Sequence, residues 1–160
     1  MPAKTTAKSK YKSRNDDKVF SEAERAAVAA TARERKAASG VSPEAERAEG
    51  LKMLRESLAK MPADDRAMGE RIHELVSKAV PGLVPGTYYG MPSYRTEGKN
   101  GKTIGWYKPK SKFKVRYSTF GFQPDATVDD GEFFPIAFAI LELTPAAEKR
   151  LAELVKKAVG

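Results

Sequence analysis

The stretch Tyr88-Tyr89-Gly90-Met91-Pro92-Ser93-Tyr94 stands where helical sequence stops and strand sequence begins, bracketed by Pro81-Gly82, Pro85-Gly86 and Gly98. Chain-breaking pairs on both sides predict a first strand broken by a bend. Glycine allows a bulge or a close approach, and proline cannot donate a ladder hydrogen bond. The strand is therefore expected at a sheet edge or with a bulge near Met91. Its three tyrosines make it a candidate binding surface. The alternative is that the tyrosines and Met91 fill the core while Gly-x-Pro shapes a turn, the commoner use of aromatic side chains.

Before this stretch the periodicity is helical. Ser21 with Glu24 forms a capping-box signature ahead of an alanine-rich helix that reaches Ala38. That helix, within residues 20–40, offers only Val28 and alanines for burial and is expected at the periphery. Ser42-Pro43 opens a second helix, with Leu51, Leu54, Leu58 and Met61 on one stripe. Asp64-Asp65 opens a third, running to about Val80 with a stripe of Met68, Ile72, Leu75, Val76 and Ala79. His73 projects beside that stripe, near Glu70 and Ser77, and reads as a surface or boundary residue.

After it the periodicity is that of strands. Glu97-Gly98-Lys99-Asn100-Gly101 is hairpin chemistry, and Thr103 to Lys108 is a second strand. Phe113, Val115 and Tyr117 alternate with Lys112, Lys114, Arg116 and Ser118, which predicts a half-buried third strand. Phe133 to Leu141 reads as a fourth. Thr144-Pro145 caps a last helix with the stripe Ala147, Leu151, Leu154, Val155 and Ala158. The order implies an α+β fold, an antiparallel sheet of about four or five strands packed on helices, with one face partly open. Residues 20–160 form a single domain in this reading, preceded over 1–19 by a basic, disordered arm carrying Lys4, Lys8, Lys10, Lys12 and Arg14.

Composition narrows the chemistry. The absence of cysteine excludes disulfides, thiolate ligands and thiol nucleophiles and fits a reducing, cytoplasmic setting. A single histidine argues against a zinc site or a histidine-based triad. No phosphate loop and no Gly-x-Ser-x-Gly elbow is present, so a non-enzymatic protein is expected. No apolar run approaches a membrane span, so no membrane association is expected. A net charge of +8 favours polyanions as partners.

Three candidate sites follow. Asp125, Asp129, Asp130 and Glu132 lie within eight residues and could supply oxygen ligands to a hard cation or Fe²⁺, or simply form a turn. Between residues 95 and 116, Arg95, Lys99, Lys102, Lys108, Lys110, Lys112, Lys114 and Arg116 face a single acid, Glu97. With Trp106, Tyr107 and Tyr88 interleaved, Lys108, Lys110, Lys112 and Lys114 are nucleic-acid candidates. If Phe113, Val115 and Tyr117 are buried, however, these lysines form only a solvated face. A groove over the bent strand, lined by Tyr89, Met91, Trp106 and Arg116, could hold a small anionic ligand, with Arg116 as its anchor.

Four segments also resemble the YdhG-like family, a domain of unknown function grouped with frataxin-like proteins. They are Arg71-Ile72-His73-Glu74-Leu75-Val76, Tyr88 to Tyr94 with its Gly-Met-Pro centre, Lys112 to Phe122, and Leu154-Val155-Lys156-Lys157-Ala158-Val159. The resemblance spans Phe20 to Gly160. It implies a small α+β domain and, for some relatives, an iron-chaperone role toward iron–sulfur assembly proteins. The acidic residue that many such relatives carry shortly before Gly-Met-Pro is replaced here by Gly86 or Thr87.

Overall fold

The computed structural model describes residues 22–37 and 42–160. The basic arm and the Ser21 cap lie outside the described residues. Helix α1 (Glu22–Ala37) is peripheral, as its composition implies, and Val28 points to solvent at 63 % exposure rather than into the core. In α2 (Pro43–Ala59) the Ser42 hydroxyl accepts a hydrogen bond from the Ala45 amide at 3.2 Å, and proline stands in the first turn. Helix α3 (Ala63–Ala79) carries Asp64 and Asp65 in its first turn. Helix α5 (Pro145–Ala158) repeats the α2 device, with the Thr144 hydroxyl accepting from the Ala147 amide at 3.2 Å.

The sheet is an antiparallel five-stranded meander, β1 (Val84–Tyr88), β2 (Met91–Arg95), β3 (Thr103–Lys108), β4 (Ser118–Phe122) and β5 (Ala137–Ile140), in sequence order. The tyrosine stretch is thus two strands and not one bent strand. Tyr88 pairs with Met91, leaving Tyr89 and Gly90 as a two-residue turn with φ of 49° and 79°. Positive φ at both central positions is the turn that matches strand twist, and glycine at the second lowers its cost. Pro92 lies one residue inside the closing pair, where alternation turns its missing donor away from β1. The irregularity expected at Met91 falls elsewhere. Between the pairs Tyr94–Gly105 and Arg95–Thr103 the register skips Ile104, which is buried in the core.

One sheet face carries Tyr94, Tyr107, Phe120 and Phe122, packed with Leu54 and Leu58 of α2, Ile72 and Val76 of α3, and Leu151 and Val155 of α5. Most of the predicted helical stripes thus reach the core, with Met61, Met68, Leu75 and Leu154 packed against it partly buried. Leu51, Ala79 and Ala147 are only half-buried, and Met53, off the predicted stripe, is buried. On the opposite face Trp106 lies across Gly121, with its indole donating to Gln123 at 3.3 Å. Helix α2 is clamped along the β1 edge. Arg47 donates to the Leu83 carbonyl at 2.9 Å, and the buried carboxylate of Glu46 pairs with Arg95. Burial pulls the Arg95 guanidinium below its ordinary pKa.

The third strand expected over residues 112–118 does not form there. Helix α4 (Lys110–Phe113) occupies its start and Lys114 adopts a left-handed conformation with φ 52°, so the next strand begins only at Ser118. The last strand is likewise shorter than its apolar run, beginning after Pro135 at Ala137. Phe133, Ile136 and Leu141 flank it exposed.

The approach of α2 to β1 leaves no room for a side chain at Gly50, where a Cβ would collide with the main-chain carbonyl of Pro85. Alanine is the better helix former by ~1 kcal/mol, yet a backbone atom cannot swing aside. Gly50→Ala is expected to destabilise the fold by about 1–3 kcal/mol, as overpacked sites do. Urea unfolding checks this, and an unchanged or raised midpoint would contradict it.

Candidate functional site

The segment joining β3 to β4 gathers the basic residues. Pro109 ends β3, α4 makes one short turn, and left-handed Lys114 reverses the chain. Two anchors fix the turn. The Lys110 amide donates to Ser118 Oγ at 3.2 Å, and the Ser111 amide donates at 3.2 Å to Oδ2 of Asp65, a buried carboxylate at the start of α3. Lys112, Lys114 and Arg116 stand exposed, and Lys108 and Lys110 half-exposed. Among the described residues none of these five forms an ion pair.

Because the segment is not a strand, its apolar residues are not turned away from its lysines. Phe113 is 40 % and Val115 44 % exposed. Lys108 Nζ lies 4.3 Å from the centre of the Phe113 ring, Lys112 Nζ lies 5.8 Å from it, and the Arg116 guanidinium lies 5.3 Å from that of Tyr117. Cations and accessible rings thus share one projecting knuckle, the combination that tracks a phosphate backbone while stacking on bases.

The four residues expected to line one groove are dispersed. Met91 lines a cavity beneath α1. Tyr89, half-exposed at the hairpin turn, borders a smaller hollow between α2 and β1. Trp106 and Arg116 line neither. The hairpin turn is itself occupied from within the chain: Glu34 of α1 accepts from the Tyr89 amide at 3.2 Å and the Gly90 amide at 3.0 Å, and Ser57 donates to the Gly90 carbonyl at 2.7 Å. Successive left-handed residues aim neighbouring amides at one anion, the geometry of a backbone nest. Glu34 carried no sequence signal for this role. Exposed Phe113 was hidden because its alternation with lysines matched a strand.

The carboxylates offered as metal ligands, Asp125, Asp129, Asp130 and Glu132, are all exposed. Among the described residues no group of three or more His, Asp or Glu side chains is placed to hold a metal ion. Their loop is anchored by other residues. Ala126 and Val128 are buried in the core, and Thr127 donates to the Lys157 carbonyl at 3.0 Å at the end of α5.

His73 lies at the core boundary. Its Nδ1 is 3.2 Å from the hydroxyl of Tyr94, and the two rings stack at 5.9 Å between centroids. Burial pushes the Tyr94 phenol well above its ordinary pKa, so it stays a donor and His73 Nδ1 the acceptor. Burial, reinforced by the charge of Arg55 and opposed by Glu74, holds the His73 imidazole below its usual pKa. No described helix is long and apolar enough to cross a membrane. No family model, curated protein or solved structure matches this chain.

A histidine whose pKa is lowered on folding takes up its proton first in the unfolded state. Stability is then complete above the unfolded value of about 6.5 and declines as pH falls through and below it. The urea midpoint is expected to drop between about pH 7.5 and pH 5.5, above the carboxylate range. His73→Gln, which stays neutral and can still accept from Tyr94, should flatten that slope. Equal slopes in the two proteins would remove the role assigned to His73.

Proposed function

We propose that this chain is a non-enzymatic binding protein of the YdhG-like type, that its working surface is the basic knuckle from Lys108 to Tyr117, and that its partner is single-stranded nucleic acid. The observation that carries this reading is the exposure of Phe113 among Lys108, Lys112 and Lys114, with no carboxylate paired to those lysines among the described residues. Phosphate neutralisation supplies affinity without sequence preference, and a ring open to stacking supplies preference for unpaired bases over a duplex. Pro109, Asp65 and Ser118 hold the knuckle in one shape before any partner arrives, so little ordering entropy opposes association.

The iron-handling role implied by the resemblance gains no support from the carboxylate geometry, because Asp125, Asp129, Asp130 and Glu132 do not converge. An anaerobic Fe²⁺ titration that saturates, and that is abolished by Asp129→Asn with Asp130→Asn, would replace the nucleic-acid reading with the iron one.

Fluorescence anisotropy of a labelled oligo-dT across a salt series is the direct test. The logarithm of affinity is expected to fall linearly with the logarithm of salt. Lys114→Ala with Arg116→Ala should make that slope shallower by about 1.4, at roughly 0.7 for each phosphate of a single strand that is no longer neutralised. Phe113→Ala should cost about 1–3 kcal/mol at fixed salt and leave the slope unchanged, as removal of one stacking platform does. A slope indifferent to Lys114 and Arg116 would refute the knuckle as the interface.

A further inference from the structure

Helix α1 lies over the β1–β2 turn without burying a large apolar side chain, and polar interactions hold it there. Besides Glu34 on the turn amides, Arg33 reaches Glu56 at 2.6 Å and Glu49 at 3.3 Å. The guanidinium is raised above its ordinary pKa and the Glu56 carboxyl lowered, chiefly through that shared hydrogen bond. Both partners are solvent-accessible, and such pairs hold an element weakly.

Beneath the helix lies a cavity of about 700 Å³, bounded by α1, the end of α2, the hairpin turn and α4. This volume falls in the range of small-molecule sites. The α1 wall is alanine, which keeps the helix while leaving the space beneath it open. The facing wall is Met53, Met61 and Met91, unbranched side chains that adapt to varied apolar shapes. Lys60 and Lys112 also line the cavity and form no ion pair among the described residues. Its carboxylates are already engaged, Glu56 by Arg33 and Asp65 by the Ser111 amide. With Arg33, Lys60 and Lys112 against Glu56 and Asp65, the lining carries more cations than carboxylates, and an excess of positive charge beside an apolar chamber complements an anionic head on an aliphatic body.

We propose that this cavity binds a small amphiphile, an aliphatic chain carrying one carboxylate, with the chain among the three methionines and the carboxylate between Lys60 and Lys112. Helix α1 is the lid, latched by Glu34 on the Tyr89–Gly90 amides. The site shares Pro109, Ser111 and Lys112 with the knuckle but is lined by neither Lys114 nor Arg116.

The probe is dodecanoate, titrated calorimetrically into the full chain below its micellar concentration. Saturable one-to-one binding is expected. Ala27→Phe fills the cavity from the lid side, away from the core, and should weaken binding by about tenfold or more with an unchanged circular dichroism spectrum. Lys60→Ala with Lys112→Ala should weaken dodecanoate by about tenfold while leaving any binding of neutral dodecanol unaltered. Absence of saturable binding, or binding indifferent to Ala27→Phe, would overturn the assignment. Loss of dodecanoate binding on Lys114→Ala with Arg116→Ala would also overturn it, by moving the anion site to the knuckle. Failure of oligo-dT binding with dodecanoate binding intact would remove only the nucleic-acid reading.

Discussion

Asp65 is the residue through which the sheet, the third helix and the basic knuckle meet. It is buried at the start of α3. Its main-chain carbonyl accepts the hydroxyl of Tyr107 in β3 at 2.9 Å, and its side chain accepts the Ser111 amide of α4. A carboxylate so enclosed is tolerable only where donors replace water. Tyr107 is fully buried and its phenol is pushed up to about 12, mainly by burial, so it remains a donor over any physiological range. One residue at a helix start thereby ties α3 to the sheet through its main-chain carbonyl and directs the chain leaving β3 through its side chain. Lys110, Lys112, Lys114 and Arg116 take their position from that exit, while Lys108 is held within β3.

The helices are held by two different kinds of force, and the difference divides the molecule. Helices α2, α3 and α5 place leucine, isoleucine and valine in a common core with the sheet aromatics, the non-directional burial that dominates folding free energy. Helix α1 contributes alanines and exposed ion pairs, so its attachment depends on salt far more than that of the others. The Tyr89–Gly90 turn joins the two regimes. Left-handed backbone at a tyrosine carries a steric cost of ~1–2 kcal/mol, and the two amides that this conformation aligns are the ones Glu34 engages. Lys112 lines the cavity and also stands 5.8 Å from the Phe113 ring of the knuckle, so the two surfaces share one cation.

The parts of the fold that follow local rules were legible in the sequence. The hydroxyl caps at Ser42 and Thr144, with proline just after each, form the bonds that their residue types imply. The centres of the apolar stripes of α2, α3 and α5, Leu54 with Leu58, Ile72 with Val76 and Leu151 with Val155, are buried because a spacing of four keeps each pair on one helix face. The tyrosine stretch was legible as turn chemistry but not as a hairpin, because Tyr-Gly is an uncommon occupant of a turn in which both central residues need positive φ. The seat of Glu34 on that turn, 55 residues away for Tyr89, had no sequence signature, since nothing local distinguishes one exposed helical glutamate from another.

Residues 112–117 show where alternation misleads. Lys-Phe-Lys-Val-Arg-Tyr has the period of a half-buried strand, and period alone assigns its rings to the core and its cations to solvent. What decides the matter lies outside the segment. Pro109 fixes the chain at the end of β3, and the Asp65 carboxylate offers the Ser111 amide a partner that a sheet ladder would otherwise supply. The left-handed residue Lys114 then makes the reversal within one short turn, too few residues to form a strand before β4 begins at Ser118. Pairing resumes there with Ser118 opposite Ile140 and Lys108 opposite Thr119. The consequence is chemical as well as topological. With no pleat to send them to opposite faces, Phe113 and Val115 stay with the lysines, and a sequence that reads as the solvated back of a sheet becomes a surface that offers charge and stacking together.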